Sequence, residues 1–156
     1  MPLLFVDVLG GQVGKGPERA VRPRVQKAVN ELLNRQSPDG AFGLWRVGDR
    51  WASPWLGAYV TDFLSRAKSK GHDVPQQAFA MAMDNLRNRV NYAPDFDKGG
   101  EDLAYALMVL AREGAARMGD LRYYADVKSE AFATPLALAQ LGAALASYGD
   151  QTRADR

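Results

Sequence analysis

The sequence predicts an all-α protein of helix hairpins, arranged as a linear helical repeat or as a toroid with inner and outer rings. Three observations carry this. Apolar residues recur at helical spacing over nearly the whole chain. Narrow-striped segments (about 22–35, 75–92 and 120–129) alternate with wide-striped ones (53–70, 100–113 and 134–148). Two of the wide segments open on the same signal, Ser53-Pro54 and Thr134-Pro135, an N-cap followed by proline at the first helical position. A narrow stripe buries one face, which suits an outer helix. A wide one must be covered on most sides, which suits an inner helix.

Composition narrows the chemistry. At 156 residues, 47% hydrophobic and 24% charged, the chain fits one soluble domain, or a piece of a larger one, with a real core. The net charge is only +2, so the basic pI near 9.0 does not call for a nucleic-acid partner. There is no cysteine, which excludes disulfides, cysteine nucleophiles and thiolate metal sites within these residues. A single histidine cannot build a metal cluster, and no cofactor is expected. No apolar run reaches the ~18 residues of a membrane span.

In chain order, Leu3, Leu4, Phe5, Val6, Val8 and Leu9 read as the end of a buried helix that starts earlier. They are no signal peptide, because a basic leader is missing and Asp7 interrupts the run. Lys15, Arg19, Arg22, Arg24 and Lys27 are basic, but no aromatics interleave, so they read as a solvated face. Pro23 suits the first turn of an outer helix whose stripe is Val25, Ala28, Val29, Leu32 and Leu33. The first inner helix carries Trp55, Leu56, Tyr59, Val60, Phe63, Leu64 and Ala67, with Asp62 embedded among them. A buried carboxylate needs a partner, expected at a helix end. His72 falls in a polar turn and is expected to be exposed.

The second outer helix shows Phe79, Met83, Leu86 and Val90 at i, i+4, i+7 and i+11, with methionine as core filler. Asp95-x-Asp97 lacks the glycine and closing glutamate of a calcium loop. Glu101 and Asp102 suit the first turn of the next inner helix, on its Leu103, Leu107, Leu110 stripe. Asp120 reads as the cap of a short helix with Leu121, Tyr124 and Val127 inward. Leu138, Leu141, Leu145 and Tyr148 form the last stripe, and 150–156 reads as a frayed end.

One long break interrupts the helices, the loop 36–45: Gln36-Ser37-Pro38-Asp39-Gly40-Ala41-Phe42-Gly43-Leu44-Trp45. Pro38 and Asp39-Gly40 make the turn, and Phe42 and Trp45 are expected to pin it to the body. The Gln36 amide is placed to satisfy a neighbouring helix end. No nucleophile–base pair falls here, so the loop reads as a structural staple and no catalytic residue is assigned.

This loop, taken with Trp55-Leu56-Gly57-Ala58-Tyr59-Val60, resembles the thioester-containing domain of the alpha-2-macroglobulin and complement family, most closely its bacterial members. The matching pattern is Asp39-Gly40-Ala41-Phe42-Gly43, then Trp55, Leu56, Ala58, Tyr59 and Val60 opening an inner helix; Gln36 and Trp45 complete the loop. The loop is also similar to the Gln–Trp motif of terpenoid cyclases, whose α/α-toroid fold the resemblance implies here. The family's thioester forms from a Cys-x-Glu-Gln segment that has no counterpart in this sequence. The resemblance therefore implies a fragment of the domain, 1–156, downstream of the thioester and holding about three helix pairs. It implies a non-enzymatic role in a bacterial protease inhibitor that traps proteases in host defence. A cut bait region triggers collapse around the protease, and the thioester acylates a lysine or hydroxyl. Implied partners are target proteases, neighbouring domains of the same chain and a penicillin-binding protein; the implied location is periplasmic or extracellular. A second bacterial class lacks the thioester. Two other readings stand beside this one, a terpenoid cyclase or prenyltransferase and a plain helical-repeat binding module. No Asp-x-Asp-Asp cluster supports the enzyme. A partial toroid would leave apolar faces near Leu3–Leu9 and Leu136–Leu145, which favours a homo-oligomer.

Overall fold

The computed structural model describes residue 4, residues 18–49 and residues 53–156. Its helices are α1 (Glu18–Leu33), α2 (Pro54–Ser69), α3 (Gln76–Asn91), α4 (Glu101–Arg112), α5 (Met118–Asp126), α6 (Pro135–Ser147) and α7 (Gln151–Ala154). A 3-10 turn, Ser129–Ala131, links α5 to α6. Among the described residues the only extended pairings are two isolated bridges, Gln36 with Phe42 and Gly99 with Phe132.

The inner helices form a row, with α4 between α2 and α6. Outer helices pack alongside: α1 on α2, α3 across both α2 and α4, and α5 on α6. Burial follows the stripes. In α4, Leu103 to Leu107 and Val109 to Ala111 are all buried, as a helix covered on both sides requires. In α3 burial is confined to Phe79, Ala82, Met83, Leu86 and Val90. In α1 Val25 and Val29 reach the core. Each fully buried aliphatic side chain, such as Leu64, Leu86 or Leu107, stabilises by about 1.5–3 kcal/mol. The helix starts obey the expected chemistry: Ser53 Oγ accepts from Leu56 N at 3.1 Å, and Thr134 Oγ1 accepts from Ala137 N at 3.3 Å.

Asp62 is the buried carboxylate of the row, at 2% exposure. It accepts from Arg66 Nε at 2.9 Å and from the Tyr105 hydroxyl at 2.8 Å, and it pairs closely with Arg112. Arg112 stands in the last turn of α4, so the partner does come from a helix end. Burial, reinforced by the Asp62 carboxylate, pushes the Tyr105 hydroxyl well above its usual range. The network fixes the register of α2 against α4, because a slip would strand a charge away from water.

Six expectations change. Helix α1 is already formed at Glu18, so Pro23 sits inside it and not in its first turn; the cost is one lost backbone hydrogen bond. His72 is half-buried, its N–H donating to the Ala67 carbonyl at 3.0 Å as the chain turns back under α2. Asp120 makes no cap; it lies in the first turn of α5, one residue after Gly119, and Val127 faces solvent at 63% because α5 ends at Asp126. Leu138 is 42% exposed, on the wall of a cleft that it shares with Ala125 of α5 and Arg153 of α7. The final segment forms α7, whose Ala154 carbonyl lies against Gly142; a Cβ there would come within 2.9 Å. Leu4 is buried, while the rest of Leu3–Leu9 and Trp51 lie outside the described residues.

Candidate functional site

The loop between α1 and α2 is tied down at both ends. Gln36 pairs with Phe42, and Ser37 N donates to the Ala41 carbonyl at 2.9 Å. The Gln36 amide donates to the Ala78 carbonyl in the first turn of α3 at 2.9 Å, so it staples the loop to α3 through a carbonyl, not through an orphan N–H. Asp39 closes the turn: the Ser37 hydroxyl donates to its carboxylate, and that bond holds its pKa below the usual carboxylate value. The Asp39 carbonyl accepts from the Asn85 amide at 3.0 Å. Gly40 has φ +83°, and a Cβ would lie 2.0 Å from the Met81 carbonyl oxygen. No other residue allows the loop to lie this close to α3. Gly43 donates to the Arg35 carbonyl at 3.1 Å.

The two aromatics part company. Phe42 is buried at 3% and anchors the loop. Trp45 is 78% exposed, flanked by exposed Leu44 and Val47. The backbone here is shaped from within, by Asp49 accepting from Trp45 N at 3.2 Å and by Arg35 reaching the Leu44 carbonyl at 3.3 Å. Trp45 is thus held outward on an ordered turn, where it was expected to pin the loop inward.

Beyond the loop, Ala58 and Val60 are buried, Leu56 and Tyr59 half-buried, and Trp55 is 43% exposed. Trp55 stacks on Tyr59 with ring centres 5.2 Å apart and leans on Tyr105 at 5.7 Å. These rings cover the joint between α2 and α4, which is packing and not an open aromatic cavity.

A cleft of about 540 Å³ opens beside them, where the end of α3 meets the starts of α2 and α4. That volume lies within the range of small-ligand sites, roughly 300–1,000 Å³. Pro54, Phe96 and Leu103 supply apolar walls, and Asn88, Arg89 and Asp102 supply polar ones. Gly100, at φ +75°, lets Phe96 and Phe132 close over the start of α4; a Cβ would lie 2.7 Å from the Phe96 ring. The loop holding Phe96 is fastened by Gly99 N to the Ala131 carbonyl at 2.9 Å and by Lys128 to Asp95 at 2.5 Å. By pattern alone Arg89 falls on the polar face of an outer helix, Asn88 carries no signal, and Asp102 suits the helix dipole. These residues lie on two helices, and only the straddling of α3 brings them together. Among the described residues no three His, Asp or Glu side chains gather as a metal site.

No family model matches the chain. Individual relatives do. An alpha-2-macroglobulin of Escherichia coli is 35% identical over 144 residues, which is 86% of this chain. An alpha-2-macroglobulin of Xylella fastidiosa is 30% identical over 146 residues. The chain belongs to the alpha-2-macroglobulin family. It spans only 8% of the length of either relative. The solved Salmonella alpha-2-macroglobulin reacted with methylamine matches 99% of this chain and 11% of its own, with a TM-score of 0.83 at 31% identity. The trypsin-activated E. coli alpha-2-macroglobulin matches the same share of this chain, with a TM-score of 0.82 at 30% identity. The all-α hairpin row is therefore the architecture of one stretch of bacterial alpha-2-macroglobulins.

Proposed function

We propose that this chain is part of the thioester-containing domain of a bacterial alpha-2-macroglobulin-like protease trap, and that its own role is structural. The observation that carries this reading is the match of 99% of the chain to alpha-2-macroglobulins solved after activation by trypsin and after reaction with methylamine. In this reading α1 to α6 form part of an α/α-toroid. Gln36, Asp39, Gly40, Phe42, Gly43 and Trp45 build its stapled loop, and Trp55, Leu56, Ala58, Tyr59 and Val60 open an inner helix. The thioester chemistry lies outside these residues, since the sequence holds no cysteine. The domain is non-enzymatic. It acts against proteases through the parent protein, in the periplasm or outside the cell, packed on neighbouring domains and working beside a penicillin-binding protein.

Methylamine treatment of the full-length parent tests this. An intact thioester releases one thiol per chain, and the parent then acylates an added protease. A folded parent that releases no thiol belongs to the thioester-less class, and this domain then serves packing alone. A parent that neither releases a thiol nor forms any protease complex after proteolytic cutting overturns the reading.

A further inference from the structure

The cleft at the junction of α3 and α4 carries two opposite charges that do not meet. Arg89 uses Nε on the Asn85 amide oxygen at 3.1 Å, which fixes the guanidinium plane. Its two terminal nitrogens donate to nothing among the described residues. Asp102 lies on the other wall, in the first turn of α4, with no ion pair or hydrogen bond of its own there. The two groups line one cavity yet form no salt bridge with each other. Phe96, Leu103 and Pro54 offer apolar surface beside them, and the Asn88 amide adds a neutral donor and acceptor.

The Arg89 guanidinium also lies within electrostatic reach of the Asp39 carboxylate, with no hydrogen bond between them. A pocket with a guanidinium whose terminal nitrogens are open, a carboxylate and an apolar wall is complementary to a ligand that carries all three opposites. We propose that this cleft binds a short zwitterionic peptide with an apolar side chain. The ligand's α-carboxylate meets Arg89, whose fork favours two parallel bonds to a carboxylate. Its ammonium meets Asp102. Its side chain lies on Phe96 and Leu103. A ligand of a single charge would leave one wall facing its own sign, which selects against simple anions and simple amines. This assignment does not rest on protease trapping.

Calorimetric titration of the chain with the dipeptide Leu-Phe tests it, alongside N-acetyl-Leu-Phe, Leu-Phe-amide and the doubly blocked form. Leu-Phe is expected to bind one to one, and blocking either end to weaken binding about two- to fivefold, the scale of one partly exposed charge pair. Arg89→Gln should abolish the difference between Leu-Phe and Leu-Phe-amide while leaving the effect of acetylation. Asp102→Asn should do the reverse. Should Asp102→Asn fail to fold, the four-ligand comparison on the unaltered chain still decides. Equal binding of all four forms, or no heat from Leu-Phe up to about 1 mM, overturns the proposal.

Discussion

A methyl group on Gly40 would collide with the Met81 carbonyl, and φ +83° is itself strained for any residue with a Cβ. The backbone of α3 cannot retreat without breaking its own ladder. Gly40→Ala is therefore expected to destabilise the chain by about 2 kcal/mol or more, read as a lower urea midpoint with an unchanged slope. Gly48→Ala, with nothing within 4 Å of the added carbon, is its control for the cost of the left-handed backbone alone. Residue identity told part of this in advance. Asp39-Gly40 announced a turn, yet the approach of Met81 comes from a helix some forty residues later. Trp45 marks the same limit from the other side. Its size suggested burial, but burial needs a partner surface, and none of the described elements reaches it.

At the scale of elements, α7 hangs on a small charged cluster. Arg153 holds Asp126 at 2.9 Å and Asp150 at 3.0 Å, and Arg122 holds Asp150 at 3.0 Å. These arginines keep both carboxyls below their ordinary value of 3.8. A depressed carboxylate stabilises the fold above its unfolded value, and the contribution is lost as pH falls through the lower folded value. Acidification below pH 3.8 is expected to release α7 before the inner row, seen as early loss of amide protection at Arg153, Ala154 and Asp155 with α4 still protected. Arg153→Gln should loosen α7 at neutral pH. The helices were far more legible than such docking. The stripe Phe79, Met83, Leu86, Val90 places α3 within one residue of its observed bounds, because periodic burial is written locally. Helix α7 is one turn long and too short to show a period, so it read as a frayed end.

At the scale of the molecule, α6 is the last helix in the row of inner helices among the described residues. Helix α4 has an inner neighbour on each side, whereas α6 leaves Leu136 at 63% and Leu138 at 42% exposure. An apolar face of this kind favours association. Light scattering on this chain is expected to show a mass that grows with concentration, and Leu136→Lys with Leu138→Lys to return a monomer of nearly unchanged stability, since exposed sites shift it by about 0.5 kcal/mol or less. A constant monomer mass at high concentration would count against it. Alternation of inner and outer helices was readable because stripe width records how many sides of a helix are covered. The cleft was not, because Arg89 and Asp102 belong to separate helices and come to line one cavity only once α3 lies across α2 and α4.

All three tryptophans fall between residues 45 and 55. Two of them are described: Trp45 is largely in water, and Trp55 shares its ring face with Tyr59. Intrinsic fluorescence therefore watches one end of the molecule. Trp45 emits as a solvated indole in the folded state already, so unfolding moves its colour little; of the two described indoles, it is Trp55 whose emission changes, as it parts from Tyr59. The half from α5 to α7 holds no tryptophan, so its melting is followed by circular dichroism or by the near-ultraviolet bands of Tyr123, Tyr124 and Tyr148.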